Sequence, residues 1–261
     1  MADPPIVFAD GAAYERFMGG WSRLAGDVFL DWVAPAPGLR WADIGCGNGA
    51  STAMLLDRCA PASVDGIDPS PAQLDYARGR LAGRPARLRQ GSAMDLPFAD
   101  DSFDAAIMAL VLFFVPDPAK GVAEMARVVA PAGIVAAYSW DLAGGGFPIA
   151  VIQEEMRAAG MAVPMPPSAD ASRRETMRAL WADAGLREIE QRSITVTRRF
   201  PDFDIFWTTS IQGPAMVATL EGQTPEAVEA LRRRVHDRLT ADATGGITIS
   251  ATANAVKGLK A

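Results

Sequence analysis

Apolar and polar positions along the chain predict strands and helices in turn. Nearly continuous apolar runs, clearest over residues 103–110, are typical of parallel strands that are buried on both faces. The segments between them are polar or carry apolar residues at helical spacing. The alternating order predicts an α/β fold with a mostly parallel sheet. Five strands are predicted, at residues 40–44, 63–67, 86–90, 103–110 and 133–140.

The helix after the second strand has the clearest start signal. Ser70 is a typical N-cap, Pro71 takes the first helical position and Gln73 completes a capping box. Leu74 and Leu81 then lie on one face of the helix. Further helices are predicted at about residues 12–34, 49–58 and 118–129.

The regular order loosens after residue 140. Glycine and proline punctuate residues 141–170, which predicts loops around one short helix. A helix at about 171–184 follows, and then two β-rich runs, 189–200 and 246–256, are separated by helices. One of these helices begins at Thr224, which is followed by proline.

The candidate chemistry begins with a glycine-rich loop after the first strand. Gly45, Gly47 and Gly49 alternate there, where the chain turns into a helix. Glycine permits a sharp turn and leaves no side chain between the backbone and a ligand. Asp68 ends the second strand 23 residues after Gly45, a position suited to binding ribose hydroxyls. The pattern predicts a cofactor that contains a nucleoside.

Two classes of cofactor fit this loop. The spacing Gly45-x-Gly47-x-x-Ala50 satisfies the dinucleotide fingerprint, with Asp68 as its ribose acid. Three other features favour S-adenosylmethionine. Asp43 lies inside the strand, where a buried charge needs a partner such as loop amides or a cofactor ammonium. The segment 91–98 precedes another strand, and no second nucleotide-binding half follows.

With these motifs the chain resembles a class I S-adenosylmethionine-dependent methyltransferase, of the group that includes the ubiquinone/menaquinone C-methyltransferases. The resemblance covers about residues 37–140. Where the family often has an acid after the glycine of its third motif, this chain has Ser92. The motifs are Asp43-Ile44-Gly45-Cys46-Gly47-Asn48-Gly49, Gly66-Ile67-Asp68-Pro69-Ser70, the segment 91–98 with Ser102-Phe103-Asp104, and Pro131-Ala132-Gly133-Ile134.

The resemblance implies a doubly wound, Rossmann-like sheet of seven strands, mostly parallel, with a reversed hairpin at one edge. Residues 1–34 would form an N-terminal helical cover. Residues 35–261 would form the methyltransferase domain, with lid insertions at about 141–170 and 202–240. The N-terminal cover and the two lid insertions would together close over the methyl donor.

The resemblance also implies where the cofactor is held. Asp68 would bind the ribose, while Pro69 and Met94 flank the adenine and Ala93 offers its N–H group to the ring edge. Open α/β sheets bind ligands beyond the carboxyl ends of strands, so Met108 and Leu110 would face the sulfonium. The remaining expected cofactor contacts are Asp43, Gly45 and Gly47 on the methionine portion, Ser92 beside the adenine, and Tyr14, Trp21 and Arg23 from the N-terminal helix.

The implied reaction needs a positioned methyl group more than a catalytic side chain, because a sulfonium methyl is already activated. Asp141, which follows the fifth strand, is the candidate general base. His236 is the only histidine and is interpreted as a helix-packing or solvated residue. The aromatic content of the lid segments favours a small apolar or aromatic substrate. No metal site is expected.

Composition narrows the alternatives. A net charge of −6 argues against nucleic acid as a partner. The chain shows no signal peptide or membrane-length apolar run, and two cysteines imply no disulfide framework, so a cytoplasmic monomer or homodimer is expected. Two other functions stay open. One is an S-adenosylmethionine-binding protein without methyl transfer, and the other is an NAD(P)-dependent oxidoreductase.

Overall fold

A computed structural model describes residues 15–261, apart from the side chains of residues 214 and 215. Its centre is one sheet of seven strands in the order β3-β2-β1-β4-β5-β7-β6. The strands are β1 (Arg40–Ile44), β2 (Ser63–Asp68), β3 (Ala86–Gln90), β4 (Phe103–Ala109), β5 (Val129–Trp140), β6 (Arg187–Phe200) and β7 (Ile247–Leu259).

The strand directions decide which loops meet. Strands β1 to β5 pair in parallel, whereas β7 pairs antiparallel with both β5 and β6. Strand β6 therefore runs in the same direction as β1 to β5, and its carboxyl end at Phe200 lies at their carboxyl edge. The predicted α/β fold with a reversed edge hairpin is confirmed.

Helices pack on both faces of the sheet, and a π-helical turn (Glu15–Gly19) leads into the first of them. Among the described helices, none is long and apolar enough to cross a membrane. The α-helices are α1 (Gly20–Val33), α2 (Ala50–Arg58), α3 (Pro71–Arg80), α4 (Pro118–Val128), α5 (Ala150–Ala158), α6 (Arg174–Asp183), α7 (Phe203–Ser210), α8 (Pro214–Glu221) and α9 (Pro225–Asp237).

The strand ends differ from the predicted ones where pairing or backbone geometry overrides the local pattern. Strand β5 begins at Val129, four residues before the predicted Gly133, because Val129 pairs with Phe103 across a bulge. Strand β4 was predicted to reach Leu110 but ends at Ala109. Leu110 has a φ of +63°, which takes it out of the extended conformation.

Two apolar clusters lie on opposite faces of the sheet. One contains residues of α4 and α6. The other joins α1, the end of the β6–β7 hairpin and the helices of both predicted insertions. Ion pairs also connect the insertions, from Arg234 to Glu155 and from Arg238 to Glu154, each at 2.8 Å. The proposed division into cover and domain stays a prediction.

Candidate functional site

The three glycines of the loop after β1 have different surroundings, although all have positive φ angles of +75°, +51° and +79°. A Cβ atom at Gly45 would lie 2.5 Å from the side chain of Val111, and one at Gly49 would lie 3.0 Å from Cβ of Ala77. At Gly47 the nearest atom would be 3.9 Å away. Gly45 and Gly49 thus permit close packing, and Gly47 is the loop glycine that borders open space.

Backbone hydrogen bonds tie this loop to the end of β2. The N–H groups of Gly45 and Cys46 donate to the carbonyl oxygen of Ile67, at 2.7 and 3.0 Å. Asp68, the next residue, accepts from the N–H of Gly47 through Oδ2 at 2.9 Å and from the N–H of Ser70 through Oδ1 at 2.8 Å. Burial raises the pKa of Asp68, and these two N–H bonds oppose the rise. Its carboxylate therefore organises the loop, and its role in binding a ribose stays a prediction.

Asp43 is fully buried at the carboxyl end of β1. Its Oδ2 accepts from Ser51 Oγ at 2.7 Å and from Thr52 Oγ1 at 2.6 Å. The sequence predicted loop amides or a cofactor ammonium as its partners. The helix α2 supplies hydroxyls instead of loop amides, because its first turn packs directly over the strand end. Oδ1 has no hydrogen-bond partner within the described part of the chain.

Burial raises the pKa of Asp43 to about 6, against the opposing effect of the two hydroxyl bonds, and the charge of Asp68 adds to the rise. A buried carboxylate oxygen without a partner is costly. The position therefore favours a cationic or hydrogen-bond-donating ligand group next to Oδ1.

Asp43→Asn should change how stability depends on pH. Because the folded pKa exceeds the unfolded value of about 4, protonated Asp43 stabilises the fold below about pH 4, and this contribution is lost as pH rises through about 6. Unfolding in urea across this range should show wild type losing up to about 3 kcal/mol relative to the asparagine variant. Asparagine retains an oxygen for the two hydroxyl donors. Parallel pH profiles for the two proteins would contradict the assignment.

The predicted adenine-binding segment follows β3. Ser92 Oγ accepts from the N–H of Met94 at 3.1 Å, so this hydroxyl stabilises its own turn. Ala93 and Met94 are half-buried, and Pro69 at the end of β2 is exposed. The turn is anchored by Glu124, which accepts from the N–H of Leu96 at 2.8 Å.

Arg127 reinforces this anchor, which the sequence reasoning did not find. The guanidinium donates to Glu124 at 2.7 Å and to the carbonyl oxygens of Leu96 and Phe98 at 3.0 and 2.8 Å. Glu124 and Arg127 lie three residues apart on α4, a spacing typical of helix ion pairs. The sequence pattern therefore predicts the ion pair, but it does not indicate the contact of both side chains with the turn near residue 96.

The two residues predicted to face the sulfonium have different surroundings. Met108 is fully buried in the cluster that contains Val122 and Met125 of α4. Leu110 is buried in the opposite cluster, and its N–H donates to the carbonyl oxygen of Tyr138 at 2.8 Å. The positive φ of Leu110 turns the chain at the carboxyl edge of the sheet, and sequence periodicity gave no sign of it.

The N-terminal segment reaches the glycine loop through Glu15. Glu15 binds Arg80 at 2.6 Å and accepts from Asn48 Nδ2 at 3.2 Å. Trp21 is buried against Phe200, with ring centroids 6.4 Å apart. The side chain of Arg23 is 72% exposed and lies 4.0 Å from Glu15. The predicted contact of Tyr14 lies outside the described residues.

Asp141 lies directly after β5, as predicted, and its carboxylate is engaged in a turn. Oδ1 accepts from the N–H of Gly144 at 2.9 Å, and the N–H of Gly146 donates to the carbonyl oxygen of Asp141 at 2.7 Å. A catalytic role for Asp141 stays a prediction. His236 packs edge-on against Phe203, with ring centroids 4.8 Å apart.

Comparison with known proteins identifies the region that carries this site. Residues 42–137 match the family model described as a methyltransferase domain. Over 129 residues the chain is 41% identical to a demethylmenaquinone methyltransferase of Desulfitobacterium hafniense (strain Y51), covering 48% of this chain and 49% of that protein. Over 120 residues it is 38% identical to a chloroplastic 2-methyl-6-phytyl-1,4-hydroquinone methyltransferase 2 of Oryza sativa subsp. japonica, covering 44% of this chain and 34% of that protein. The chain thus spans half or less of the length of these curated relatives.

Solved structures share the fold at low identity. A phosphoethanolamine N-methyltransferase 2 of Haemonchus contortus, solved with S-adenosyl-L-methionine, has a TM-score of 0.58 and 18% identity, covering 96% of this chain and 56% of that one. A geranyl diphosphate methyltransferase, solved with GPP and sinefungin, has a TM-score of 0.52 and 20% identity. The match covers 90% of this chain and 76% of that one. The resemblance predicted from the motifs is confirmed for residues 42–137.

Proposed function

We propose, on the premise that residues 42–137 form a methyltransferase domain, that this protein transfers a methyl group from S-adenosylmethionine to a small apolar or aromatic molecule. The product of the cofactor would be S-adenosylhomocysteine. The observation that carries the proposal is the meeting of Asp43, Gly47 and Asp68 at the carboxyl ends of β1 and β2.

The chemistry of these groups fits S-adenosylmethionine better than a dinucleotide. The unpartnered Oδ1 of Asp43 suits the ammonium of a methionine portion. Asp68 suits the ribose hydroxyls, and the open space at Gly47 lets a ligand approach the main chain. A pyrophosphate in the same loop would meet the negative charge of Asp43 at the end of β1, which disfavours NAD(P).

The remaining cofactor contacts belong to the same proposal. Pro69 and Met94 would flank the adenine, and Ala93 would donate from its main chain to the ring edge. Ser92 would act through the turn that it stabilises rather than through its occupied hydroxyl. Arg23, whose side chain is largely exposed, would pair with the methionine carboxylate.

S-adenosylmethionine supplies an already activated methyl group when it is bound. The part of the chain in the reaction is then to hold the two ligands in line and to exclude water. Aromatic side chains of the cluster around α1, α5 and α7 would form the walls of the acceptor pocket. Asp141, at the end of β5, stays the candidate base.

Small aromatic acceptors are the first to test. Two relatives are named for methylation of demethylmenaquinone and of a phytyl hydroquinone, and this chain is 41% and 38% identical to them over 129 and 120 residues. The cytoplasmic location and the monomeric or homodimeric state stay predictions.

Transfer of tritium from S-adenosyl-[methyl-³H]methionine to alkylated hydroquinones tests the activity. The proposal predicts labelled organic product and equimolar S-adenosylhomocysteine. A cell extract serves as a second source of acceptors. If the protein binds the cofactor but forms no S-adenosylhomocysteine with either source, it is a binding protein without methyl transfer.

The proposed cover should close when the ligand binds. Glu15 already links the N-terminal turn to Asn48 of the loop, and the two insertions are joined by ion pairs such as Arg234 to Glu155. Hydrogen exchange with S-adenosylhomocysteine should show increased protection in residues 15–23 and in the loop after Trp140. Protection confined to residues 43–98 would show that the cover does not respond to the cofactor.

A further inference from the structure

Arg198 is a charged residue in an apolar row. It lies near the carboxyl end of β6, on the face that also carries Ile194, Val196 and Phe200. Directly opposite on β7 is Ile249, which belongs to the same apolar cluster. Side chains two residues apart on a strand share a face, so the guanidinium is directed to the side on which the cover helices pack.

Within residues 15–261, the guanidinium of Arg198 has no ion pair, and its Nη1 atom is buried without a hydrogen-bond partner. Burial lowers its pKa, and no acidic group in the described part of the chain raises it. The adjacent Arg199 faces the other way and is well paired, with Asp242 at 2.8 Å and Thr244 at 2.6 Å. The side chain as a whole is half-buried, and leaving a cation unpaired in such a position is costly, which favours a ligand group as its partner.

The guanidinium is held in place by apolar and backbone contacts. Its carbon lies 4.6 Å from the ring centroid of Phe200, in a cation–π arrangement. A Cβ atom at Gly20 would lie 3.2 Å from Nη1, so the start of α1 covers this nitrogen. The cation is thus shielded by the N-terminal helix that the proposed function assigns to the cover.

The strand register shows that β6 extends past the carboxyl end of β5, and Arg198 lies on this extension. Trp140, the last residue of β5, is level with Ala253, which is level with Ile194. Arg198 is four residues further along β6, about 13 Å beyond that level. This extension of the hairpin stands over the carboxyl edge, where open α/β sheets bind their ligands.

We propose that Arg198 binds an anionic oxygen group, a carboxylate or a phosphate, on the methyl acceptor. The inference rests on the proposed function and refines its substrate class to an apolar or aromatic body that carries an acid group at a distance from the methylated atom. A guanidinium offers several N–H donors in a planar fork that matches carboxylate and phosphate oxygens. Binding of such a group would neutralise the cation when the cover is closed.

Matched ligands that differ in charge test this assignment without requiring turnover. The probes are 6-phenylhexanoate, 5-phenylpentyl phosphate and the neutral 6-phenylhexanamide, titrated calorimetrically into the protein saturated with S-adenosylhomocysteine. At least one anion should bind wild type about tenfold or more tightly than the amide, as expected for a hydrogen bond to a charged group. Equal affinities, or no detectable binding of either anion, would overturn the proposal.

Variants connect the charge preference to Arg198. Arg198→Met should bring the anion and the amide within about twofold of each other, and Arg198→Lys should retain part of the preference. Arg192→Met removes the same charge from an exposed position on the same strand and should keep the full preference. A methionine variant that discriminates as well as wild type would show that Arg198 serves packing alone.

The affinity for S-adenosylhomocysteine separates this inference from the proposed function. Each variant should bind S-adenosylhomocysteine as wild type does, which also shows that it is folded. Failure of wild type to bind S-adenosylhomocysteine would overturn the proposed function. Normal cofactor binding without any charge preference would overturn the role of Arg198 alone.

Discussion

Gly47→Val should lower the affinity for S-adenosylhomocysteine by about two orders of magnitude while the protein stays folded. Among the described residues the nearest atom to a Cβ atom at this position is 3.9 Å away, so the added side chain would occupy ligand space rather than core. Forcing extra methyl groups into filled space costs roughly 3 kcal/mol, which corresponds to a loss of that size. Calorimetry measures the affinity and thermal unfolding measures the stability.

Backbone strain is the competing explanation, because Gly47 has a φ of +51° and valine disfavours such angles. Gly83→Val is the matched control. Gly83 has a φ of +75°, and a Cβ atom there would have no neighbour within 4 Å. Both variants should lose stability through strain, but only Gly47→Val should lose binding. If the Gly47 variant unfolds outright, the glycine serves the backbone conformation and the functional claim loses its support. If both variants bind normally, the glycine does not border the cofactor.

Asp68→Ala should weaken binding of S-adenosylhomocysteine by about 1.5–3 kcal/mol, the range for a hydrogen bond to a charged group. Two effects contribute to this loss. The carboxylate would no longer meet the ribose hydroxyls, and the N–H groups of Gly47 and Ser70 would lose their acceptor. Calorimetry measures the sum of the two effects.

A thermodynamic cycle separates the direct loss of the ribose contact from the indirect loss of the loop hydrogen bonds. 5′-Methylthioadenosine and its 2′,3′-dideoxy analogue differ in the two ribose hydroxyls, so wild type should prefer the former and Asp68→Ala should not. Asp65→Ala is the control on the same strand, because Asp65 is buried and binds Arg87 at 2.8 Å. An unchanged preference for the hydroxyls in Asp68→Ala would refute the ribose assignment.

Much of the scaffold could be predicted because its signals are local. Ser70 caps α3 by accepting from the N–H of Gln73, and Thr224 caps α9 in the same way, each with proline at the first helical turn. The buried strand β4 carries an apolar run, and the glycines between β1 and α2 have the positive φ angles that a tight turn requires.

The details of the site were harder to predict because they depend on contacts between distant segments. Glu15 and Asn48 lie 33 residues apart, and Glu124 reaches Leu96 across 28 residues. Arg198 was not singled out from the sequence, because the unpaired state of its guanidinium can be recognised only once its surroundings are known.

The central claim is that the loop around Gly47 and Asp68 binds S-adenosylmethionine. Calorimetric titration of one protein preparation with S-adenosylmethionine, S-adenosylhomocysteine, NAD and NADP tests it most directly. Both sulfur compounds should bind saturably at one site per chain, with no detectable heat from either dinucleotide. Tight binding of NAD or NADP, with neither sulfur compound bound, would contradict it.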